Sequence, residues 1–169
     1  MAIAQKKTVV RQFDGSVTWG YLPQNGFVTG ETVEVLDTSG RVIPLALNQI
    51  KTIAYVKDFN LEGGTDPEQI GRRSFLSRPR ADGLWLKLGF RDNDSLEGLA
   101  NFDLGFIESL LDDRGLTVSP PDARSNTQRL FVPRAALISV QVLGFIGAAS
   151  KQKTMARASS TIQTQLFGE

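Results

Sequence analysis

The sequence predicts an all-β chain made of two tandem small barrels, and three observations carry that prediction. Apolar and other residues alternate at the period of strands: Leu84, Leu86, Leu88 and Phe90 share one face, and Trp85, Lys87 and Gly89 the other. The strand-like runs are short and divided by turn signals such as Asp14-Gly15 and Ser39-Gly40. There glycine tolerates positive φ, and aspartate can hydrogen-bond its own turn. Two stretches, 7–59 and 84–145, also pass through the same succession of segments, the mark of an internal repeat.

Taken in order, the first stretch opens with TVVRQF (8–13) and turns at DGS. A second strand runs through Trp19-Gly20, with Val17, Trp19 and Tyr21 on one face. Ser39-Gly40 joins a third strand, 32–36, to a fourth, 41–45. VIPLALNQIKTIAYV (42–56) supplies an apolar strand, a bend at 46–49 and a last strand. The bend is too short for an α-helix and fits one 3₁₀ turn. The second stretch repeats the order: WLKLGF (85–90), the turn RDND, a strand leading to Glu97-Gly98, and RLFVPRAALISVQVL (129–143) with a bend at 133–136. It also carries an insertion at 103–113. Leu104, Ile107, Leu110 and Leu111 stand there at helical spacing behind an Asp103 N-cap, predicting a short helix over a barrel end, with an edge strand as the alternative.

Five short strands with a 3₁₀ turn before the fifth follow the plan of an SH3-like or Sm-like barrel. The fold class is therefore all-β, two such barrels in tandem, with a short helix inserted in the second. The expected divisions are a first barrel at 1–61, a linker at 62–82, a second barrel at 83–147 and a flexible tail at 148–169. A unit of about 55 to 60 residues is close to the lower limit of independent stability, so the barrels are expected to pack through strand edges or apolar faces. The expected core includes Val17, Trp19, Ile53, Leu86, Leu88, Phe90, Val140 and Val142.

The phrases TVSPPDARSNTQRLFVPRAALISVQVLGFIG (117–147) and VIPLALNQIKTIAYVKDF (42–59) resemble a bacterial family of uncharacterised proteins. It is associated with Acidobacteria and related soil bacteria and built on SH3-like or Sm-like half-repeats. The resemblance implies a cytoplasmic small-barrel protein. It brings no catalytic or binding residues.

Composition removes whole classes of chemistry. With no cysteine and no histidine there is no disulfide, thiolate zinc site, Cys nucleophile or His general base. No GxSxG elbow or phosphate loop ending in GK[ST] occurs. The densest acidic group, Asp112-Asp113 with Asp103 and Glu108, reads as a solvated loop beside the helix. The chain is expected to be non-catalytic, without cofactor or metal. It has no apolar run of membrane-spanning length and no secretory h-region after Lys6-Lys7, so a cytoplasmic location is the expectation.

Three elements point to binding. Arg72, Arg73, Arg78 and Arg80 fall within RRSFLSRPR, with only Glu68 and Asp82 as acidic neighbours in sequence, and form an anion-binding candidate. Beyond it, NDSLEG (93–98) matches the [DN]-x-S-x-x-G pattern of PilZ domains through Asn93, Ser95 and Gly98. That resemblance implies cyclic di-GMP gripped by arginine forks, although Arg73 and Arg78 are one residue too far apart for the family's RxxxR. A β-turn behind a basic linker is the plainer reading. The third element is QTQLF (163–167), in which Gln163, Leu166 and Phe167 resemble the peptide that docks bacterial proteins on the DNA sliding clamp. A protein partner reached through the tail is expected. Nucleic-acid binding through Trp19, Tyr21, Tyr55 and Trp85, with Lys151, Lys153 and Arg157 adding charge, is the reading a net charge of +1 supports least.

Overall fold

The computed structural model describes residues 4–24, 26–62, 66–111 and 114–147. The first part of the chain forms β1 (Gln5–Gln12), β2 (Val17–Pro23), β3 (Val28–Thr29), β4 (Thr32–Asp37), β5 (Val42–Ala46), a 3₁₀ turn at Leu47–Gln49, and β6 (Ile50–Val56). The second forms β7 (Gly83–Phe90), β8 (Ser95–Ala100), α1 (Leu104–Leu111), β9 (Gly115–Val118), β10 (Thr127–Pro133), a 3₁₀ turn at Arg134–Ala136, and β11 (Leu137–Ile146). The chain is thus nearly all β.

Strand pairing follows one scheme in both parts. Val10 faces Ile53 across β1–β6, and Leu88 faces Val140 across β7–β11. Thr8 faces Gly20, and Leu86 faces Gly98. Tyr21 faces Leu36, and Leu99 faces Ser119 in an isolated bridge. Val33 faces Leu45, and Leu116 faces Val132. Even the irregularity corresponds: the register skips Lys51 in β6 and Ile138 in β11, two residues after the end of each 3₁₀ turn. The first hairpins turn alike, with Gly15 at φ 88° and Asn93 at φ 66°. Asp14 Oδ1 accepts from Ser16 N at 2.8 Å, and Asp92 Oδ1 from Asp94 N at 3.2 Å.

Neither part closes into a barrel, contrary to the expectation from sequence. β5 pairs only with β4, while the second edge of β6 is taken by β10 of the other part. The result is one eight-stranded sheet, β3-β4-β2-β1-β6-β10-β9 with β5 on β4, and a three-stranded sheet, β11-β7-β8. The edges that closure would join are spent on the seam or left apart. Alternation from the Asp37 N–H···O Arg41 bond puts Pro44 nitrogen on the open side of β5, where the missing N–H discourages a further strand.

Two cores lie on opposite faces of β1 and β6. Val10, Ile53 and Tyr55 pack with Leu22, Val33, Val35, Leu45 and Ile50, and Phe131 of β10 joins this first core, meeting Phe27 edge-on at 5.0 Å. Val9, Ala54 and Val56 pack instead into the second core with Leu86, Leu88, Phe90, Leu116, Val118, Leu130 and Val132. The equivalent face of β7 and β11 carries Lys87 and Gln141, both exposed, and is covered only toward Trp85, against which Phe75 packs. Ile53, Leu86, Leu88 and Phe90 are buried as expected, and Val17, Val140 and Val142 lie half-buried against the second core. Trp19 departs from the expectation. It is 37% exposed, at the rim of the face on which Val17 and Tyr21 reach that core.

Candidate functional site

The segment between β6 and β7 does not hang free. Its first anchor is Glu68, 2% exposed, which accepts from Arg11 Nε and Nη2 at 2.6 and 2.7 Å in a two-pronged ion pair. Burial pushes the Glu68 carboxyl up from its ordinary value, and its hydrogen bonds raise the Arg11 guanidinium still further. The Glu68 carbonyl accepts from Thr127 N and Oγ1, both at 3.1 Å. Asn126 Nδ2 donates to the carbonyls of Pro67 and Asp58.

Residues 72–80 then run beside β8 as a strap. The Arg73 carbonyl accepts from Glu97 N at 2.8 Å, and Glu97 Oε2 accepts from Phe75 N and Trp85 Nε1 at 2.9 and 3.1 Å. Phe75 meets Trp85 edge-on at 6.1 Å. Arg73 is pinned, donating from Nε to the Ser95 carbonyl at 2.9 Å and from Nη2 to Asp94 Oδ2 at 2.6 Å. Arg78 is pinned elsewhere, on the Phe145 carbonyl at 2.7 Å. Arg72 and Arg80 are exposed and pair with no carboxylate among the described residues, and Leu76 between them is 79% exposed. Two arginines thus splint the strap and two stand in solvent.

The PilZ-like pattern is brought to the strap only in part. Arg73 reaches Asp94 and Ser95, whereas Arg78 lies on β11. Two positions of the pattern, Asn93 and Gly98, also have a structural occupation. Asn93 adopts the left-handed conformation of the hairpin tip, which asparagine tolerates. A Cβ on Gly98 would stand 2.7 Å from Val118 side-chain carbons, as one on Gly20 would stand 2.3 Å from the Leu36 carbonyl. Lys51 Nζ bridges Asp92 and Asp94 at 2.7 and 2.8 Å. Burial pulls Asp94 up, but Lys51 and Arg73 outweigh it and hold the carboxyl below its usual range. Gln163, Leu166 and Phe167 lie outside the described residues, as do Asp112 and Asp113.

A second place was not legible in the sequence. A groove of about 450 Å³ separates the two parts of the chain. Its floor is the face of β9 and β10 that carries Thr117, Arg129 and Phe131, continued by Ser119 just after β9. One wall is the β2–β3 connection with Phe27, and the other is the segment 101–108 with Asp103, Phe106 and Glu108. Asp103 Oδ1 caps α1, accepting from Phe106 N at 2.9 Å. Among the described residues no three His, Cys, Asp or Glu side chains gather as metal ligands, and no helix is long and apolar enough to cross a membrane.

No curated protein and no solved structure matches the chain. Residues 4–144, from the start of β1 almost to the end of β11, match one family model. The chain therefore belongs to the Family of unknown function DUF6982.

Proposed function

We propose that this protein is a non-catalytic binding module whose anion-recognising element is the 72–80 strap. The observation that carries the reading is the division of labour among its arginines. Arg73 and Arg78 fix the backbone, and Arg72 and Arg80 are left exposed without a described carboxylate partner. Exposed guanidinium groups on a braced segment present forked donors to phosphate or carboxylate oxygens at reduced ordering cost. The lack of histidine and cysteine, which removes the His general base and the Cys nucleophile, supports binding over catalysis.

The architecture behind this reading is a duplicated SH3-like or Sm-like unit opened and fused at β6–β10. Matching registers, matching hairpin tips and matching skipped residues support a common origin for the two parts. The module works in a bacterial cytoplasm, and the tail, with Gln163, Leu166 and Phe167, is its second contact, reaching a protein such as the sliding clamp.

A second reading, a cyclic di-GMP receptor, is favoured by the bond from Arg73 to Ser95, which joins the strap to the PilZ-like pattern. Calorimetric titration separates the two. An anion-binding strap takes up pyrophosphate in a salt-dependent manner, and Arg72→Ala with Arg80→Ala abolishes the heat. A receptor binds cyclic di-GMP far more tightly than pyrophosphate and depends on Arg73. Heat from neither ligand refutes both readings.

A further inference from the structure

We infer that the groove between the two parts is a peptide-binding site, with Arg129 and the carboxylates of the 101–108 wall reading opposite charges on an extended segment. The first support is where the two parts of the chain differ. Their strands share registers on either side of the connection from the second strand, at Tyr21–Leu36 and Leu99–Ser119. The connections themselves differ: one holds β3, the other α1. Both line this one groove. Divergent loops converging over a rigid shared floor are the usual construction of a recognition site. A volume of about 450 Å³ is ample for several side chains.

The second support is the chemistry of the lining. Arg129 is exposed on the floor beside Tyr55 and pairs with no carboxylate among the described residues. Asp103 and Glu108 stand on one wall, so the groove has both signs of charge and disfavours a polyanion such as nucleic acid. Phe27 and Phe106 place a ring on each wall. An extended peptide bearing an acidic side chain, an apolar one and a basic one satisfies all three features, with Thr117 and Ser119 hydroxyls beneath it. No residue of the strap lines the groove, so this site stands apart from the anion reading above.

The test probes a positional-scanning array of hexapeptides with the full chain, followed by fluorescence titration of the best sequence. The expected selection is an acidic residue at one position and lysine or arginine at another. Arg129→Glu should exchange the acidic preference for a basic one and weaken the original peptide by about tenfold or more, a change set by one charged hydrogen bond. Glu108→Lys should reverse the preference at the basic position. Both residues are exposed, so melting temperatures should not move, and Arg72→Ala with Arg80→Ala should leave the selection intact. An array without charge selection, or selection unchanged in Arg129→Glu, overturns the inference. A preference for single-stranded oligonucleotides over every peptide does so too.

Discussion

Val9 and Lys87 occupy equivalent register positions, Val9 opposite Ala54 and Lys87 opposite Gln141, yet one is wholly buried and the other exposed. The difference is not in the strands. In the first part the outward face of β1 and β6 is covered by the second core; in the second part the corresponding face meets water at Lys87 and Gln141 and is covered only toward Trp85. Strand pairing follows the same scheme in both parts, and the seam decides which of the two corresponding faces must be apolar. The β1–β6 layer has a core on each face, so damage there should cost more than damage at the matching positions of β7–β11.

The largest effect should come from the clamp on that layer. Arg11→Met leaves Glu68 buried without its partner, and such losses amount to about 3–5 kcal/mol. Urea unfolding at neutral pH measures it. Glu68 already has a raised pKa through burial, so the uncompensated charge is the penalised form, and acidification neutralises it. The gap between variant and parent should therefore narrow as the pH falls through the raised Glu68 value. A gap that is constant or widens toward acid would contradict this role.

Next comes the comparison itself. Val9→Ala should cost about 2 kcal/mol, through lost burial and the cavity left behind. Lys87→Ala at the matching register should stay within about 0.5 kcal/mol. Equal losses would mean that the β1–β6 layer is not special. Gly20→Ala and Gly98→Ala provide the opposite control, since both glycines meet a crossing strand closely. Each should cost about 1–3 kcal/mol as local overpacking. Gly20 should be the worse, because its neighbour is a backbone carbonyl and that of Gly98 is a valine side chain.

The smallest effect belongs to the turn between β4 and β5. Ser39, through its hydroxyl, and the Arg41 N–H hold the Asp37 carboxyl down at about 2. Its contribution is present above the usual carboxylate pKa and is lost as the pH falls from there through about 2. Asp37→Asn should thus lower the melting temperature slightly at pH 7 and not at pH 2.

Much of this fold is written in local pattern. Alternation located the strands, Asp14-Gly15 and Ser39-Gly40 located turns, and the bends at 46–49 and 133–136 contain the two 3₁₀ turns. Closure was not legible, because whether β6 pairs with its own part or with β10 is decided between segments more than seventy residues apart in sequence, Ala54 and Leu130 among them. The strap was visible as four arginines, but its bracing was not. Glu68, Asn126 and Thr127 look like ordinary loop residues until Arg11 and Pro67 are brought to them. Trp19 misled for the same reason: a strand pattern assigns a face, and only the neighbouring part determines how far that face is covered. The groove had no sequence signal, since its walls come from two unlike connections.

The strap as the anion-recognising element is tested most directly by amide and arginine side-chain NMR shifts of the full chain during a pyrophosphate titration. The account predicts saturable shifts confined to residues 72–80 and the adjoining 93–95 turn, strongest at the Arg72 and Arg80 guanidinium groups, with the groove signals of Thr117 and Arg129 unmoved. Shifts centred on the groove, or none at the strap, would contradict it.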